Sequence, residues 1–519
     1  MEATDRTTLE QEIAWLREQL AERDRLIGRL ERRIASLERD SSNSSKPPSS
    51  DPPSAAKPKP KHPPRKRKRR KGHHRRQRVC FPADRIDLIR VHEGPTPDAR
   101  RWDRAVDDAG VPLFRVLQQV DFEPKRRRFV FTEHRLAIHR HRRSGRLRTT
   151  PRPRRLRGIG GQLFGPGMQA LVCSLKLETH ASVRGIQRFL RETLALGVST
   201  GYLAKVLRQA GEALGPAYER VAEVVRSQPA LHADETGHKD NGRRSFTWVA
   251  TCPAAALFRV GVSRSAAELD ALLGPGFAGT LTSDFYGAYR RFARERAEVV
   301  SSFCWAHLVR EIKAAGELPE ESARIWSRSI RRDIGELFRG WHRRSHRICR
   351  RARDAILGKC AAWMPWANQE VANLRKRLRE HARAYFRFIE TPGNLATRWI
   401  GPTNNAAERQ LRGLVLHRRV TQGTRGQAGR RWWEHGWSVR ATLGKQKKSF
   451  FGLVHATPQA TAAGLTPPMP MPMPGQGHAR LPGFRGAGAG ATPPPPRHFR
   501  LFIAADFCES EQDAAAAGA

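Results

Sequence analysis

The stretch from 228 to 303 constrains the fold of this chain most, because apolar runs and helical patterns alternate along it in a fixed order. Asn241-Gly242 predicts a hairpin turn between the first two of three short apolar runs. These runs are rich in β-branched and aromatic residues and predict strands over 230–233, 244–252 and 257–262. The stretch therefore begins as three strands that follow one another with short connections.

The second half of this stretch alternates helices with strands. Ser265 and Glu268 have the spacing of a capping box and open a helix that ends near Gly274. The remaining elements are predicted as a strand over 279–283, a helix over 286–298 and a strand over 299–303. Three antiparallel strands, helix, strand, helix, strand is the order of a ribonuclease-H-like α/β core.

Two aspartates occupy special positions in that arrangement. Asp234 lies on the first strand and Asp284 just past the end of the fourth, and these strands are neighbours in such a sheet. Their carboxylates can therefore converge, and hard oxygen ligands select Mg²⁺ or Mn²⁺ over zinc. Each aspartate alone has a simpler interpretation as a turn residue at a strand end. The pair predicts a divalent metal site.

A third carboxylate would complete a site for two ions ~3.5–4 Å apart, which promote phosphoryl transfer by activating the attacking oxygen and stabilising the leaving one. Glu408 is the candidate. It also has a simpler interpretation, since Asn405 three residues earlier gives the spacing of a capping box. We favour the metal ligand, because a fixed helix start would aim Glu408 at the aspartates. Glu434, beside Trp432 and Trp433, is the rival, and its aromatic neighbours favour helix packing.

The charge of the chain indicates a polyanionic partner. Lys and Arg number 95 against 50 Asp and Glu, which gives a formal charge of +45. Nucleic acid is the expected partner. No apolar run of about 18 residues and no apolar signal core occur in the sequence, so we expect a soluble, cytoplasmic protein and no membrane partner. The seven cysteines are scattered, without the spacing of zinc ribbons or fingers, so zinc is not expected.

The first 79 residues predict a dimerisation helix and a basic linker. Within 1–40 the apolar residues alternate steps of four and three, with Arg23 as the one interruption, at Leu9, Ile13, Leu16, Leu20, Ile27, Leu30, Ile34 and Leu37. This heptad pattern favours a two-stranded coiled coil over a helix packed on the chain's own core. Residues 41–79 are Ser/Pro-rich and then Lys/Arg-rich, typical of disorder. The densest run can neutralise phosphates or can be a solvated linker: Lys66, Arg67, Lys68, Arg69 and Arg70.

The next two segments differ in how clearly the sequence predicts their fold. Residues 80–157 are basic and irregular in pattern, and we assign them no fold. Residues 158–227 are helical, and Ser199 or Thr200 can cap the second helix of a helix-turn-helix outline. That helix would present Tyr202, Lys205 and Arg208 to a DNA groove, although helical hairpins of this length are common without DNA.

The rest of the chain divides into a catalytic segment, 228–455, with a basic helical insertion at about 308–396, and a Pro/Gly-rich tail, 456–519, expected to be disordered. His307 could contact a scissile phosphate or orient a metal-bound group, but a lone histidine on a helix is more often structural. Cations after Glu408 could contact phosphates or form a solvated face, and Asn404 and Asn405 could assist the site; these cations include Arg409, Arg412 and Arg425.

Four short pieces together resemble the insertion-sequence-sixty-six family of DDE transposases. They are Ala-Asp-Glu-Thr-Gly at 233–237, Ser-Asp-Phe-Tyr-Gly-Ala-Tyr at 283–289, Cys-Trp-Ala-His-Leu-Val-Arg at 304–310 and Pro-Thr-Asn-Asn-Ala-Ala-Glu-Arg at 402–409. The Ser/Pro linker and the heptads before it are also similar, so the resemblance covers roughly residues 9 to 455. One departure is the segment 80–157, where members commonly carry a cysteine-paired zinc module and this chain has only Cys80.

The resemblance implies a catalytic triad of Asp234, Asp284 and Glu408 with two Mg²⁺ or Mn²⁺ ions. The implied activity is cleavage at transposon ends followed by attack of the 3′-hydroxyl on target DNA. It also implies a homodimer or higher oligomer, helper proteins of the same element and a bacterial, nucleoid-associated location. Two other functions remain open. One is an inactive remnant that binds DNA as a regulator, and the other is a ribonuclease-H-like nuclease on RNA–DNA hybrids.

Overall fold

The computed structural model describes residues 13–24, 26, 27, 30, 80–94, 98–153, 156, 164–364, 368–390 and 400–463. Helix α1 (13–24) lies in the heptad segment, and its large apolar side chains are 46–58% exposed at Ile13, Leu16 and Leu20. An exposed apolar face at this spacing fits a partner helix. The predicted phosphate contacts Lys66 to Arg70 lie outside the described residues, as does the tail after 463.

The segment that the sequence left unassigned contains a five-stranded sheet, so the description of it as irregular is wrong. After a short 3-10 turn, Ala83–Arg85, come β1 (Leu88–His92), β2 (Trp102–Arg104), β3 (Phe114–Glu123), β4 (Arg128–His141) and β5 (Leu147–Thr149). The long strand β4 pairs with all four others, parallel to β1 and antiparallel to the rest. Strand β4 has a buried apolar face that includes Val130, Phe131 and Leu136. Arginines at its more exposed positions make this apolar pattern difficult to recognise in the sequence.

This sheet is joined to the next helix by hydrogen bonds from both backbone and side chain. The N–H of Gly165 donates to the carbonyl of Val120 at 2.9 Å, and Asp121 Oδ1 accepts the N–H of Met168 at 3.0 Å. Because Asp121 accepts from the first turn of that helix, its carboxylate lies where a helix stabilises negative charge. These two bonds therefore fix the five-stranded sheet to the start of the helical segment.

Between the two sheets, the described residues form four helices: α2 (Pro166–Glu178), α3 (Val183–Leu194), α4 (Thr200–Ala213) and α5 (Gly215–Arg226). The predicted cap at Ser199 is confirmed, because its hydroxyl accepts the N–H of Tyr202 at 3.1 Å. Tyr202 is half-buried, and its predicted groove contact stays a prediction. Its hydroxyl accepts the N–H of Phe164 at 3.1 Å, and its ring packs against the Phe164 ring with centroids 5.1 Å apart.

The second sheet has the strand order β10-β9-β6-β7-β8. Its strands and helices follow the predicted order, which is confirmed: β6 (Ala230–Asp240), β7 (Arg243–Thr251), β8 (Ala256–Gly261), α6 (Ala266–Leu273), β9 (Gly279–Ser283), α7 (Gly287–Arg294) and β10 (Val299–Phe303). Strands β7 and β8 run antiparallel to their neighbours, whereas β6, β9 and β10 are parallel. Asn241 and Gly242 both have positive φ, 50° and 81°, as the predicted hairpin turn requires.

The predicted capping box at α6 is wrong. Glu268 Oε1 instead accepts the backbone N–H groups of Val262 and Ser263, at 2.9 and 3.2 Å. The carboxylate therefore binds the loop between β8 and α6. Its two donors lie two and three residues before Ser265, whose N–H a capping box would use.

Six helices form the basic insertion that follows β10: α8 (Trp305–Ala315), α9 (Glu321–His342), α10 (His346–Ala361), α11 (Gln369–Glu380), α12 (Ala382–Tyr385) and α13 (Arg387–Glu390). Three helices end the described chain: α14 (Asn405–Thr421), α15 (Gly426–Lys445) and α16 (Phe450–Ala463). Because α16 continues to Ala463, the predicted start of the tail at 456 is wrong.

Helices α14 and α15 cover one face of the second sheet. Leu414 from α14 and Trp433 and Trp437 from α15 are buried in the same apolar cluster as Val249 and Phe258 from the sheet. This burial removes large aromatic area from water and fixes both helices to the strands. Within the ranges that the structure describes, no helix has both the length and the apolar character needed to cross a membrane.

Candidate functional site

The two aspartates lie where neighbouring parallel strands separate. Strand β6 pairs with β9 only over Ala230–His232, and Asp234 follows two residues later on the now open edge. Asp284 comes directly after the last residue of β9. Burial raises the pKa of Asp234 well above its usual value, and the charges of Glu235, Asp284 and Glu408 raise it further. Asp284 and Glu408 therefore both lie close enough to Asp234 for their charges to act on its carboxylate.

Asn404 fixes the helix that carries Glu408. Its side chain is fully buried, its Nδ2 donates to the carbonyl of Ala233 at 2.8 Å, and its Oδ1 lies 3.1 Å from His232 Nδ1. Its own N–H donates to Cys304 Sγ at 3.1 Å. The amide therefore binds the strand next to Asp234, at the point where β9 no longer pairs with it. This contact sets the position of the first turn of α14.

The capping box predicted from Asn405 and Glu408 is wrong, although the helix does begin at Asn405. Asn404 is the N-cap residue, and no side-chain cap bond forms at this end of α14 among the described residues. The Asn404 side chain is used for the strand instead. Glu408 is thereby free of the bond to the cap that the spacing predicted.

A cavity of about 470 Å³ joins the carboxylates to one face of α14. Asp234, Glu235 and Thr236 line it from the strand. Residues three and four apart on α14 share a face and line the other side: Glu408, Leu411, Arg412, Val415, Leu416 and Arg419. The cavity thus has acidic groups at one end and guanidinium groups along its length.

Glu434, the alternative third carboxylate, forms a hydrogen bond to a different part of the sheet. Its Oε1 accepts the N–H of Val260 on β8 at 2.8 Å. Strand β8 is at the edge of the sheet, and β6 and β7 separate it from β9. Glu434 is therefore a structural acceptor at the far side of the sheet from Asp284, and Glu408 is the carboxylate that meets the aspartates.

Glu235 is a residue of the site that the sequence did not predict. Arg264 Nε donates to Glu235 Oε1 at 2.6 Å, and the Tyr289 hydroxyl donates to Glu235 Oε2. Burial raises the pKa of Glu235, whereas the Tyr289 bond and the Arg264 charge act to lower it. Glu235 therefore joins the aspartate strand to α7 and to the loop before α6. The sequence offered two signals for this role. Glu235 is adjacent to Asp234, and the 283–289 piece contains two tyrosines, Tyr286 and Tyr289.

We expect Tyr289→Phe to destabilise the protein by about 1.5–3 kcal/mol, because it removes a hydrogen bond to a buried carboxylate. The measurement is urea unfolding at neutral pH. Tyr286→Phe is the matched control, since the Tyr286 hydroxyl donates to the carbonyl of Arg264 at an exposed position. Equal stability losses in the two variants would contradict the role assigned to Glu235.

Three residues of one helix start face Glu408. Cys304 is the N-cap residue of α8, and His307 and Arg310 follow at steps of three. Glu408 Oε1 lies 3.8 Å from His307 Nδ1 and 3.8 Å from a terminal nitrogen of Arg310. Burial raises the pKa of the Cys304 thiol to about 11. His307, predicted as accessory, thus lies beside the carboxylate, whereas Cys304 and Arg310 were missed as site residues although their spacing was visible.

The predicted DNA contacts differ in their surroundings. Arg409, Arg412 and Arg425 are exposed, and Arg412 lines the cavity. Lys205 and Arg208 are exposed on α4, and Arg208 pairs with Glu212 at 3.2 Å. Their role in DNA binding stays a prediction.

Arg418 has a structural role. One of its terminal nitrogens donates to Thr236 Oγ1 at 2.7 Å and to the carbonyl of Gly237. Burial lowers the pKa of this guanidinium. Arg418 therefore binds α14 to β6 near the C-terminal end of the helix, as Asn404 does at its N-terminal end.

The donors at the cavity fit divalent metal ions. Asp234, Asp284 and Glu408 offer hard oxygen atoms, and Glu408 Oε1 is buried without a hydrogen-bond partner among the described residues. The three carboxylates are spaced more widely than the group formed by Cys304, His307 and Glu408, the one such group within 4.8 Å in the described part of the chain. Wider spacing suits two ions held by different carboxylate pairs better than one ion held by all three.

Comparisons with known proteins give matches over different parts of the chain. Residues 161–431, more than half of the chain, match the family described as "Transposase IS66 family". Residues 2–79 match a "Family of unknown function (DUF6444)". A protein from Sinorhizobium fredii named "Uncharacterized protein y4jD" is 34% identical over 118 residues, which cover 19% of this chain. The match spans 23% of that relative's length.

Proposed function

Because the chain belongs to the IS66 transposase family, we propose that it catalyses metal-dependent cleavage at transposon ends and strand transfer into target DNA. The observation that carries the proposal is that the charges of Asp284 and Glu408 both act on the buried carboxylate of Asp234. Asp234 and Glu408 also line one cavity. We also propose a ribonuclease-H-like architecture for this domain, which the strand order β10-β9-β6-β7-β8 and the order of the elements support.

The proposed site divides its work among the carboxylates. Two Mg²⁺ or Mn²⁺ ions, when bound, would activate the attacking oxygen and stabilise the leaving oxygen. Asp234 and Asp284 would hold ions from the sheet, and Glu408 would hold the second ion from α14. Bound cations would also relieve the mutual repulsion that raises the pKa of Asp234. Asn404 and Glu235 would position these carboxylates through their bonds to the strand and to α7.

The proposed DNA path follows the cavity along α14. Arg412 and Arg419 are exposed one and three turns beyond Glu408 on its lined face. Guanidinium groups at such positions can pair with phosphates, and Val415 and Leu416 between them can contact sugar or base. This alternation of cation and apolar side chain supports a bound strand that enters the carboxylate cluster along the helix.

Oligomerisation and further partners are part of the proposal. The exposed apolar face of α1 supports pairing of two protomers through a coiled coil, so that two transposon ends are handled together. Helper proteins of the same element are proposed from family membership. A nucleoid-associated location in a bacterial cytoplasm would follow from DNA binding.

The test uses the full chain and duplex DNA that carries the inverted repeats flanking its gene. We expect 3′-hydroxyl ends at the repeat and joined products with Mg²⁺ or Mn²⁺. Chelation of divalent ions should abolish both products, and added Mg²⁺ should restore them, because the carboxylates alone cannot stabilise the leaving oxygen. Products that survive complete chelation would contradict the metal-dependent proposal.

The same assay separates the two other functions. An inactive remnant would bind the repeats but give no metal-dependent products. A ribonuclease-H-like nuclease would cut the RNA strand of an RNA–DNA hybrid and leave the duplex intact. Family membership favours the transposase over the nuclease. The presence of all three carboxylates favours it over the inactive remnant.

A further inference from the structure

We propose that Cys304, His307 and Glu408 form a binding site for a borderline-soft divalent ion of the Zn²⁺ type. The site adjoins the carboxylate cavity and shares Glu408 with it. Cys304 Sγ, a ring nitrogen of His307 and a carboxylate oxygen of Glu408 all lie within 4.8 Å of one another. This spread is small enough for one ion to contact all three after small side-chain movements.

Two of the three donor residues present buried atoms that need a partner. Among the described residues, His307 Nδ1 and Glu408 Oε1 are each buried without a hydrogen-bond partner, and they lie 3.8 Å apart. A buried polar atom left unpaired costs about 1–3 kcal/mol. The distance is too long for a direct hydrogen bond, whereas an ion between the two atoms would satisfy both.

The backbone around the donors is already tied together. Cys304 is the N-cap residue of α8 and His307 lies in its first turn, while Glu408 lies in the first turn of α14. The two helix starts are joined by the Asn404 N–H to Cys304 Sγ bond at 3.1 Å and by the Trp305 N–H to Pro402 carbonyl bond at 2.9 Å. Because these bonds fix both helix starts, the donors need little ordering when an ion binds.

The donor types select the ion. Thiolate, imidazole and carboxylate together are zinc ligands, and three protein ligands leave a fourth position for water or another oxygen. Mg²⁺ prefers oxygen ligands only. The proposed site of Asp234, Asp284 and Glu408 therefore prefers a different metal from the site of Cys304 and His307, although both sites use Glu408.

Two features oppose a cation here and must be outweighed. Helix starts favour anions, and Arg310 places a guanidinium nitrogen 3.8 Å from Glu408 Oε1. The Glu408 carboxylate and the Cys304 thiol, which releases its proton when the ion binds, supply two negative charges that balance the ion. The Arg310 side chain is 65% exposed, so it can turn toward solvent when an ion binds.

The ion would fix Glu408. Its Oε1 is the oxygen nearest His307, so binding there would hold the side chain and leave the other oxygen for the cavity. This consequence rests on the proposed function, because it assigns Glu408 to the catalytic carboxylates. The metal site itself does not depend on that assignment.

The test is titration of the full chain with Co²⁺ as a spectroscopic substitute for Zn²⁺, followed by displacement with Zn²⁺. A Cys80→Ser, Cys508→Ser background removes the thiol that is exposed among the described residues and the one thiol that lies outside them. We expect a sulfur-to-cobalt charge-transfer band that Cys304→Ser abolishes. His307→Asn should weaken binding at least about tenfold. Arg310→Gln should strengthen it, because a competing positive charge is removed. Circular dichroism and thermal unfolding verify that each variant is folded.

Matched controls make the result specific. Cys360→Ser removes another buried thiol, and His346→Gln removes an exposed histidine at the start of α10, so both should leave the spectrum unchanged. Asp234→Asn should also retain the band, which separates this site from the carboxylate pair.

Absence of a sulfur band, or binding unchanged by Cys304→Ser and His307→Asn, would overturn the proposal. Loss of the Co²⁺ signal in Asp234→Asn would assign the ion to the carboxylate cavity and overturn it as well. The readout is metal binding and not strand transfer. A protein that binds Co²⁺ as expected but gives no transposition products would therefore contradict the proposed function and leave this inference standing.

Discussion

Glu408→Gln should reduce the rate of metal-dependent strand transfer by on the order of 10³-fold, since a lost metal ligand removes several kcal/mol of transition-state stabilisation. The glutamine keeps the size of the side chain but loses the charge that holds an ion. Rates of 3′-end formation and joining are the measurement, at saturating Mg²⁺. Asp234→Asn and Asp284→Asn should give losses of similar size.

Glu434→Gln is the matched control for the same substitution on a neighbouring helix. A glutamine at 434 can still accept the Val260 N–H, which Glu434 Oε1 accepts at 2.8 Å, so activity should stay close to wild type. If Glu434→Gln lost activity and Glu408→Gln retained it, the assignment of the third carboxylate would be reversed. If Asp234→Asn gave the same products as wild type, the catalytic proposal as a whole would be wrong.

Asn404→Ala should lower both stability and activity. It removes the bond to the Ala233 carbonyl and the contact with His232 from a fully buried position and leaves a cavity there. The expected stability loss is about 2–4 kcal/mol, measured by urea unfolding. Activity should fall on the order of 10²-fold in the folded variant, because a shift of about 1 Å in a catalytic group has an effect of that size.

Asn405→Ala tests the competing interpretation at the adjacent residue. A capping box would make Asn405 the important asparagine, with a cost of about 1 kcal/mol on its removal, and would leave Asn404 less important. The observed contacts predict the reverse order, with Asn405→Ala close to wild type. Equal losses at 404 and 405 would contradict the role of Asn404 in positioning Glu408.

Local patterns predicted much of the second sheet and part of the candidate site. The strand and helix order from 230 to 303 was readable because β-branched runs, a turn-forming Asn-Gly pair and helical spacing act over a few residues. Asp234 and Asp284 followed from their places on neighbouring strands. Boundaries were less accurate where tertiary contacts extend an element, as in β6, which continues to Asp240 because it pairs with β7 along its length.

The failures share one physical cause. Ser265 and Glu268, and Asn405 and Glu408, have capping-box spacing, yet Glu268 bonds to a preceding loop and the Asn404 side chain bonds to a strand 171 residues away. Each polar side chain bonds to a backbone group outside the predicted capping box. Glu268 binds residues five and six positions before it, and Asn404 binds a separate strand, so spacing alone cannot reveal either partner.

The sequence by itself determined the order of elements in the second sheet, the two aspartates at its open edge, and the start of the helix that carries Glu408. Tertiary structure decided the sheet in 80–153, the exclusion of Glu434, the use of Asn404 and Glu235 as positioning residues, and the meeting of Cys304 and His307 with Glu408. The first group depends on interactions between residues near in sequence. The second depends on pairing between distant segments, whose partners are specified only when strands and helices pack together.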